Sequence, residues 1–338
     1  MRRLIVALTA TAAVVSFAPA PLVAQDGVQV SEWSVPWKGR TRDPYVAPDG
    51  MVWFVGQAGN YVARLDPRSG EFKRYEIAEG TNPHNLVVDP TGGVWFTGNR
   101  NGRIVHMDPA TGKLTDYVMP DPAVRDPHTM IFDKAGNAWF TAQGAGVVGR
   151  MDGKTKQIRL WNTGKDSRPY GIVVDPKGRV WFDLFGTNKL GTIDPAKMEV
   201  EEIVLPDERS RPRRIAVTAD GTIWYGDYTR GFLGRVDPAT RKVEEFALPG
   251  GPAALPYAMT ADDQGRVWLA ETNGKPNRLV AFDPKVRKFT EVIPAEGGDE
   301  PNTIRHMIFD ARSGSIWYGT DRNTIGRAKV RREKTTEE

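Results

Sequence analysis

Short apolar runs alternate with clusters of turn-forming residues from about residue 30 to residue 330, and the pattern repeats. At the centre of each repeat stands a tryptophan followed by a large apolar residue: Trp53-Phe54, Trp95-Phe96, Trp139-Phe140, Trp181-Phe182, Trp224-Tyr225, Trp268-Leu269 and Trp317-Tyr318. Successive tryptophans lie 42, 44, 42, 43, 44 and 49 residues apart. A period of about 40–50 residues belongs to propeller blades and in part to helical repeats. The text inside the repeat separates the two, because it reads as four short β-runs with no stretch long enough for paired helices.

The second repeat shows the grammar. Leu86-Val87-Val88 is a buried strand, and Asp89-Pro90-Thr91-Gly92-Gly93 is a turn in which proline presets φ and glycine supplies φ > 0. Val94 to Thr97 forms a second strand, Arg103 to Met107 a third, and Leu114 to Met119 a fourth after the turn Asp108-Pro109-Ala110-Thr111-Gly112. The prediction is an all-β chain: a seven-bladed β-propeller of four-stranded antiparallel blades. The last repeat lacks its fourth strand, and Ser31-Glu32-Trp33-Ser34-Val35-Pro36 precedes the first repeat. An N-terminal strand is therefore expected to complete the last blade and close the ring, which removes an open edge.

The ends and the composition narrow the setting. A basic start at Arg2-Arg3, an apolar run from Leu4 to Val15 and small residues up to Ala24 have the layout of a secretory signal peptide. The expected organisation is a signal peptide over 1–24, the propeller over 25–330 and a charged tail over 331–338, with the mature protein periplasmic or secreted and outside the membrane. Removing Arg2 and Arg3 leaves 44 basic against 42 acidic residues, which gives nucleic-acid binding no support. The absence of cysteine excludes disulfides, thiol catalysis and thiolate metal sites. A monomer is expected.

In such blades the Asp-Pro-x-Gly turns share one face, so the inter-blade connections and the loops after each Trp strand share the other. There a proline repeatedly precedes a large polar or aromatic residue: Pro44-Tyr45, Pro83-His84, Pro127-His128, Pro169-Tyr170, Pro212-Arg213 and Pro256-Tyr257. The seventh blade offers Ile304-Arg305-His306 instead. Three of the four histidines fall on this ring. The candidate substrate-binding residues are thus Tyr45, Tyr170, Arg213, Tyr257, Arg305 and His306, around a pocket suited to a small carbonyl-rich or anionic ligand. A mouth that only caps the channel, in a non-catalytic binding propeller, stands beside this reading. A metal-dependent lactone hydrolase using Glu271, Asp227 and Asp321 is a third.

The repeat, with Pro-His or Pro-Tyr opening it, Asp-Gly before Trp-Phe-Thr, then Ile-Gly-Arg and a closing Leu-Pro, resembles the virginiamycin B lyase (streptogramin lyase) family over about residues 30–330. The resemblance implies a Mg²⁺-dependent elimination that opens a cyclic depsipeptide at its ester. It places the catalytic general base at His128 in Asp126-Pro127-His128, a second catalytic position at His84, and the metal at Asp126 with Gln143, where the family has a carboxylate. Imidazole suits removal of a proton α to a carbonyl, and hydrated Mg²⁺ can stabilise an enolate, although one carboxylate and one amide make a poor Mg²⁺ site. Sheet-packing distance predicts His84 and His128 about 10 Å apart.

Overall fold

The computed structural model describes residues 24–25, 28–295 and 302–331. The expected signal peptide over 1–24 lies outside these residues except for Ala24, as does the tail over 331–338 except for Arg331.

Seven antiparallel sheets form the blades of the propeller. Blade 2 is representative, with strands Pro83–Val88, Val94–Gly98, Arg103–Met107 and Leu114–Val118 running from the axis outward. The innermost strands of the other blades are Thr41–Val46, Pro127–Phe132, Pro169–Val174, Pro212–Val217, Pro256–Ala261 and Ile304–Asp310. In the last blade the fourth strand is Val28–Ser34, which pairs with Thr324–Lys329 from Gln29↔Lys329 to Ser34↔Thr324 and carries the short strand Ala24–Gln25 on its outer side. The ring closes as the sequence predicts. Trp33 stacks on Trp317 across that seam, with ring centroids 5.6 Å apart.

The repeated letters each have a physical task. The turn aspartate accepts the indole N–H of the tryptophan six residues later: Asp89 from Trp95 at 2.8 Å, Asp133 from Trp139 at 2.9 Å and Asp262 from Trp268 at 2.8 Å. Its other oxygen accepts backbone N–H groups of the same turn, so one carboxylate ties the turn to the core between the blades. Glycine in the third strand makes room for the ring after the tryptophan. A Cβ on Gly149 would lie 2.2 Å from Phe140 Cζ, closer than any carbon contact allows. The buried Trp, Phe and Val side chains form clusters that each span two adjacent blades, so every blade is held by its neighbours.

One irregularity shapes the site. Every innermost strand carries a register shift near its start, for instance between Pro83 and Leu86 and between Pro127 and Met130. The extra residues of such a bulge turn side chains out of the ordinary alternation, a device common beside functional sites.

Candidate functional site

The bulges stack two layers of side chains across the axis. Counted by strand register against the Trp strand, the outer layer consists of Arg42, His84, His128, Tyr170, Arg213, Tyr257 and Arg305. The next layer inward holds Asp43, Asn85, Thr129, Gly171, Arg214, Ala258 and His306. His84, His128, Tyr170 and Tyr257 are nearly inaccessible, whereas Arg213 and Arg305 are half-buried and face the mouth.

His84 and His128 are much closer than the predicted 10 Å: their ring centroids are 3.5 Å apart, and Tyr170 follows at 4.3 Å from His128. Sheets that are far apart at mid-blade converge at the axis, so neighbouring innermost side chains touch. Arg42 Nη2 donates to His84 Nε2 at 2.7 Å, which places the His84 proton on Nδ1. His128 Nδ1 lies 2.9 Å from Thr129 Oγ1, which also accepts from Arg214 Nη1 at 3.1 Å. Burial, reinforced by the surrounding guanidinium groups, holds both imidazoles well below their ordinary pKa, so both are neutral at pH 7.

Tyr257 is the hub on the opposite side. Its phenolic oxygen accepts from Arg213 Nη2 at 3.0 Å and Arg305 Nη1 at 3.4 Å, and it hydrogen-bonds the Tyr170 hydroxyl. Burial opposes ionisation of this phenol, but Arg42, Arg213, Arg214 and Arg305 outweigh it and bring the pKa down to about 7. The Arg213 guanidinium also lies 3.9 Å from the Tyr257 ring centroid, 4.4 Å from Tyr228 and 4.6 Å from Phe185, an aromatic box that fixes its position.

Two of the expected binding residues sit elsewhere. Tyr45 is not at the mouth. It pairs with Trp53, as Val87 pairs with Trp95, and lines the opposite end of the channel. The proline before it misleads because Pro44 lies inside the bulge, where blade 2 has Leu86. Arg42 takes the place of His84 in blade 1, and Asp43 that of Asn85. His306 lies one layer below the mouth, because the turn of the last blade is one residue longer and brings Arg305 into the outer layer. Counting back eleven residues from the tryptophan at the centre of each of the first six repeats finds the outer layer directly, including the missed Arg42. Arg214 was missed because the proline rule names only one residue per blade.

Asp43 anchors the inner layer. It is fully buried, has φ 44°, and accepts from Asn85 Nδ2 at 2.8 Å. Burial alone would raise its pKa, but His306, Arg214 and Arg42 bring it down to about 2. A left-handed backbone just before a proline is sparsely populated, and here it aims a carboxylate at the axis.

The two residues expected at the metal, Asp126 and Gln143, each have other surroundings in the structure. Asp126 Oδ2 accepts from the Gly144 N–H, and Oδ1 from the Ala145 N–H at 3.3 Å, so the carboxylate caps a loop. Gln143 lines a separate cleft with Lys165, Arg168 and Arg211. Among the described residues no three of His, Asp and Glu gather as metal ligands. A hard dication prefers anionic oxygens, and the ring instead presents guanidinium groups. Glu271, Asp227 and Asp321 are likewise engaged: Glu271 with Gly250 N–H, Asp227 with Arg211 N–H and Arg230, and Asp321 with Arg305.

Residues 23–184 match the sequence model of the Virginiamycin B lyase family, so the resemblance read from the repeat is borne out. No curated protein sequence matches the chain. A streptogramin B lyase structure superposes with a TM-score of 0.80 at 23% identity, over 90% of this chain and 98% of that one. A catalytically inactive variant of virginiamycin B lyase from Staphylococcus aureus with quinupristin superposes with a TM-score of 0.80 at 22% identity, over 90% and 100%. The extracellular domain of a one-component system from B. thetaiotaomicron gives 0.66 at 18% identity, over 89% of this chain and 42% of that one. At these identities the structures share the fold. No helix among the described residues is long and apolar enough to cross a membrane.

Proposed function

We propose, from the premise of a virginiamycin B lyase-like propeller, that the outer layer binds an anionic, carbonyl-rich small molecule at the channel mouth of an exported protein. The observation that carries this is charge. Arg42, Arg213, Arg214 and Arg305 surround the axis, and the carboxylates paired with them are Asp43 and Asp321, the latter shared with Arg40 at 3.3 Å. Guanidinium groups held in a site of low dielectric attract carboxylate or polarised carbonyl oxygens far more strongly than they would in water. The half-buried Arg213 and Arg305 are the members within reach of an incoming ligand. Export is supported by the signal-like residues 1–24.

Titration calorimetry of the mature protein with small dicarboxylates, keto acids and a cyclic depsipeptide tests this reading. Binding that falls roughly tenfold to a hundredfold in Arg213→Met with Arg305→Met is expected, as for lost hydrogen bonds to charged groups. Equal binding by the double variant, or no binding by the parent, would overturn it.

A second reading is favoured by the neutral state of His128: elimination at an ester β to an acidic C–H, as in a carbon–oxygen lyase. With Nδ1–H donating to Thr129 Oγ1, His128 Nε2 is free to take the α proton while the C–O bond breaks and a carboxylate leaves. Arg213 or Arg305 would meet the developing enolate, and His84 would pack against the base. Opening of a cyclic depsipeptide by the parent but not by His128→Ala, assayed with and without Mg²⁺, supports it. Absence of turnover in a folded, ligand-binding parent rejects it and leaves the binding reading standing.

A further inference from the structure

Below the outer layer the channel changes character. From the level of Arg214 and His306 down to the turn face it is a cavity of about 250 Å³. Its upper wall is buried and apolar, formed by Met130, Ile172, Ile215, Met259 and Met307. At its lower rim Tyr45, Val217 and Ala261 are half-buried, so the cavity opens on the face opposite the mouth. The stacked His84–His128 pair and the Tyr170–Tyr257 pair separate it from the mouth as a septum.

The inner end of this apolar tube is polar and incompletely satisfied. Arg214 is 4% exposed; its Nε donates to the Arg305 carbonyl at 3.2 Å and its Nη1 to Thr129 Oγ1 at 3.1 Å. Its Nη2 has no hydrogen-bond partner among the described residues, the nearest carboxylate being Asp43 at 4.0 Å. His306 Nδ1 is also unpartnered there. A buried cationic N–H without an acceptor is costly to keep.

We propose that the lower channel is a second binding site, for a linear amphiphilic carboxylate of the medium-chain fatty acid class. The carboxylate sits on Arg214 Nη2 beside His306, and the alkyl chain lies along the methionine and isoleucine wall towards Ala261. Both halves of the ligand match what the channel offers: one anionic oxygen pair for one open guanidinium edge, and a hydrocarbon for a narrow apolar tube. The flexible Met130, Met259 and Met307 side chains can adjust to chains of different length. The site is separate from the mouth and does not depend on the mouth being catalytic.

The test is a titration of the mature protein with sodium butanoate, hexanoate and octanoate and with octanol, all below micellar concentrations. Each added methylene is expected to tighten binding about fourfold, which corresponds to ~0.8 kcal/mol per buried CH₂. Octanoate should bind at least about tenfold tighter than octanol, and Arg214→Met should remove that preference. Because Arg214 is buried and holds Thr129 and the Arg305 carbonyl, Ala261→Trp serves as the second variant: it plugs the lower rim, leaves every polar group in place, and should abolish octanoate binding. Affinity independent of chain length, an unchanged carboxylate preference in a folded Arg214→Met, or normal octanoate binding by Ala261→Trp would each overturn the proposal.

Discussion

His84 and His128 stack ring on ring at the channel axis, with centroids 3.5 Å apart and Arg42 bonded to the first of them. Two imidazolium ions cannot share that space beside guanidinium groups, so the folded state keeps both rings neutral. His306 is held down to about 4, first by burial and then by Arg214 and Arg42, against the pull of Asp43. The unfolded chain protonates these histidines near pH 6.5, whereas the folded chain does not until much lower pH. Stability is therefore complete above about pH 6.5 and falls as pH drops below it. Unfolding free energy from urea titration should fall between pH 7 and pH 5 by about 2 kcal/mol for each of the three histidines. His84→Gln should reduce that fall by one histidine's share. A flat profile over this range would contradict the neutral stack.

Tyr257 carries the opposite sign. Its pKa of about 7 lies below the ordinary 10 because Arg213 and Arg305 bond its oxygen and Arg42 and Arg214 add their field. The stabilisation is full above pH 10 and is lost as pH falls through 7. An ultraviolet difference titration should show one of the nine tyrosines ionising near neutrality. In Tyr257→Phe that step should be missing. Retention of the step in Tyr257→Phe would assign it to another tyrosine.

The sequence carried the blades far better than the site. Blade count, strand order and ring closure follow from the tryptophan period and from the missing fourth strand at the end of the chain. Those features are repeated, and each copy checks the others. His84, His128, Tyr170, Arg213 and Tyr257 were readable because a proline marks the same register in five blades. Blade 1 and blade 7 break the marker, the first by carrying Pro44 inside the bulge and the last by lengthening its turn. Bulges shift side chains between layers without changing the apolar pattern, so the proline marker alone misplaces Tyr45 and His306. The charge of the ring was legible in part, through Arg213 and Arg305, whereas Arg42 and Arg214 join it only where the strands meet at the axis.

Asp183 is a buried acid where blades 2 and 3 use a threonine hydroxyl. Thr97 Oγ1 and Thr141 Oγ1 accept the N–H of Asn85 and Thr129 and donate to the carbonyls of His128 and Tyr170 in the next blade. In blade 4 the same N–H, from Gly171, is accepted by Asp183 Oδ2 at 2.8 Å. Burial raises the Asp183 pKa well above the carboxylate range, against the opposing pull of Gly171, Arg214 and Arg213. A raised carboxyl pKa costs stability at every pH above its unfolded value near 4. Asp183→Asn should therefore stabilise the protein at pH 7 by about 1–3 kcal/mol, and by less at pH 5. Denaturation midpoints at the two pH values decide; a destabilised variant at pH 7 would show that the acid makes a compensating contact.

Closure of the ring can be tested at a single contact. Trp33 is 6% exposed, stacks on Trp317, and lies under the Arg327 guanidinium at 5.3 Å. On the same strand Glu32 accepts from the Tyr318 hydroxyl at 2.9 Å and from Thr324 Oγ1 at 3.2 Å. The strand Val28–Ser34 thus holds the last blade by packing as well as by its ladder of backbone bonds. Trp33→Ala should cost about 3–5 kcal/mol, the usual range for a buried aromatic truncated to alanine. Removing residues 1–36 should do more, because Thr324–Lys329 then becomes an open edge able to pair with another chain. Size-exclusion chromatography should show that truncated protein associating while Trp33→Ala stays at the parent's size. A truncated protein with the parent's size and melting temperature would mean that blades 1 and 7 hold the ring without the strand.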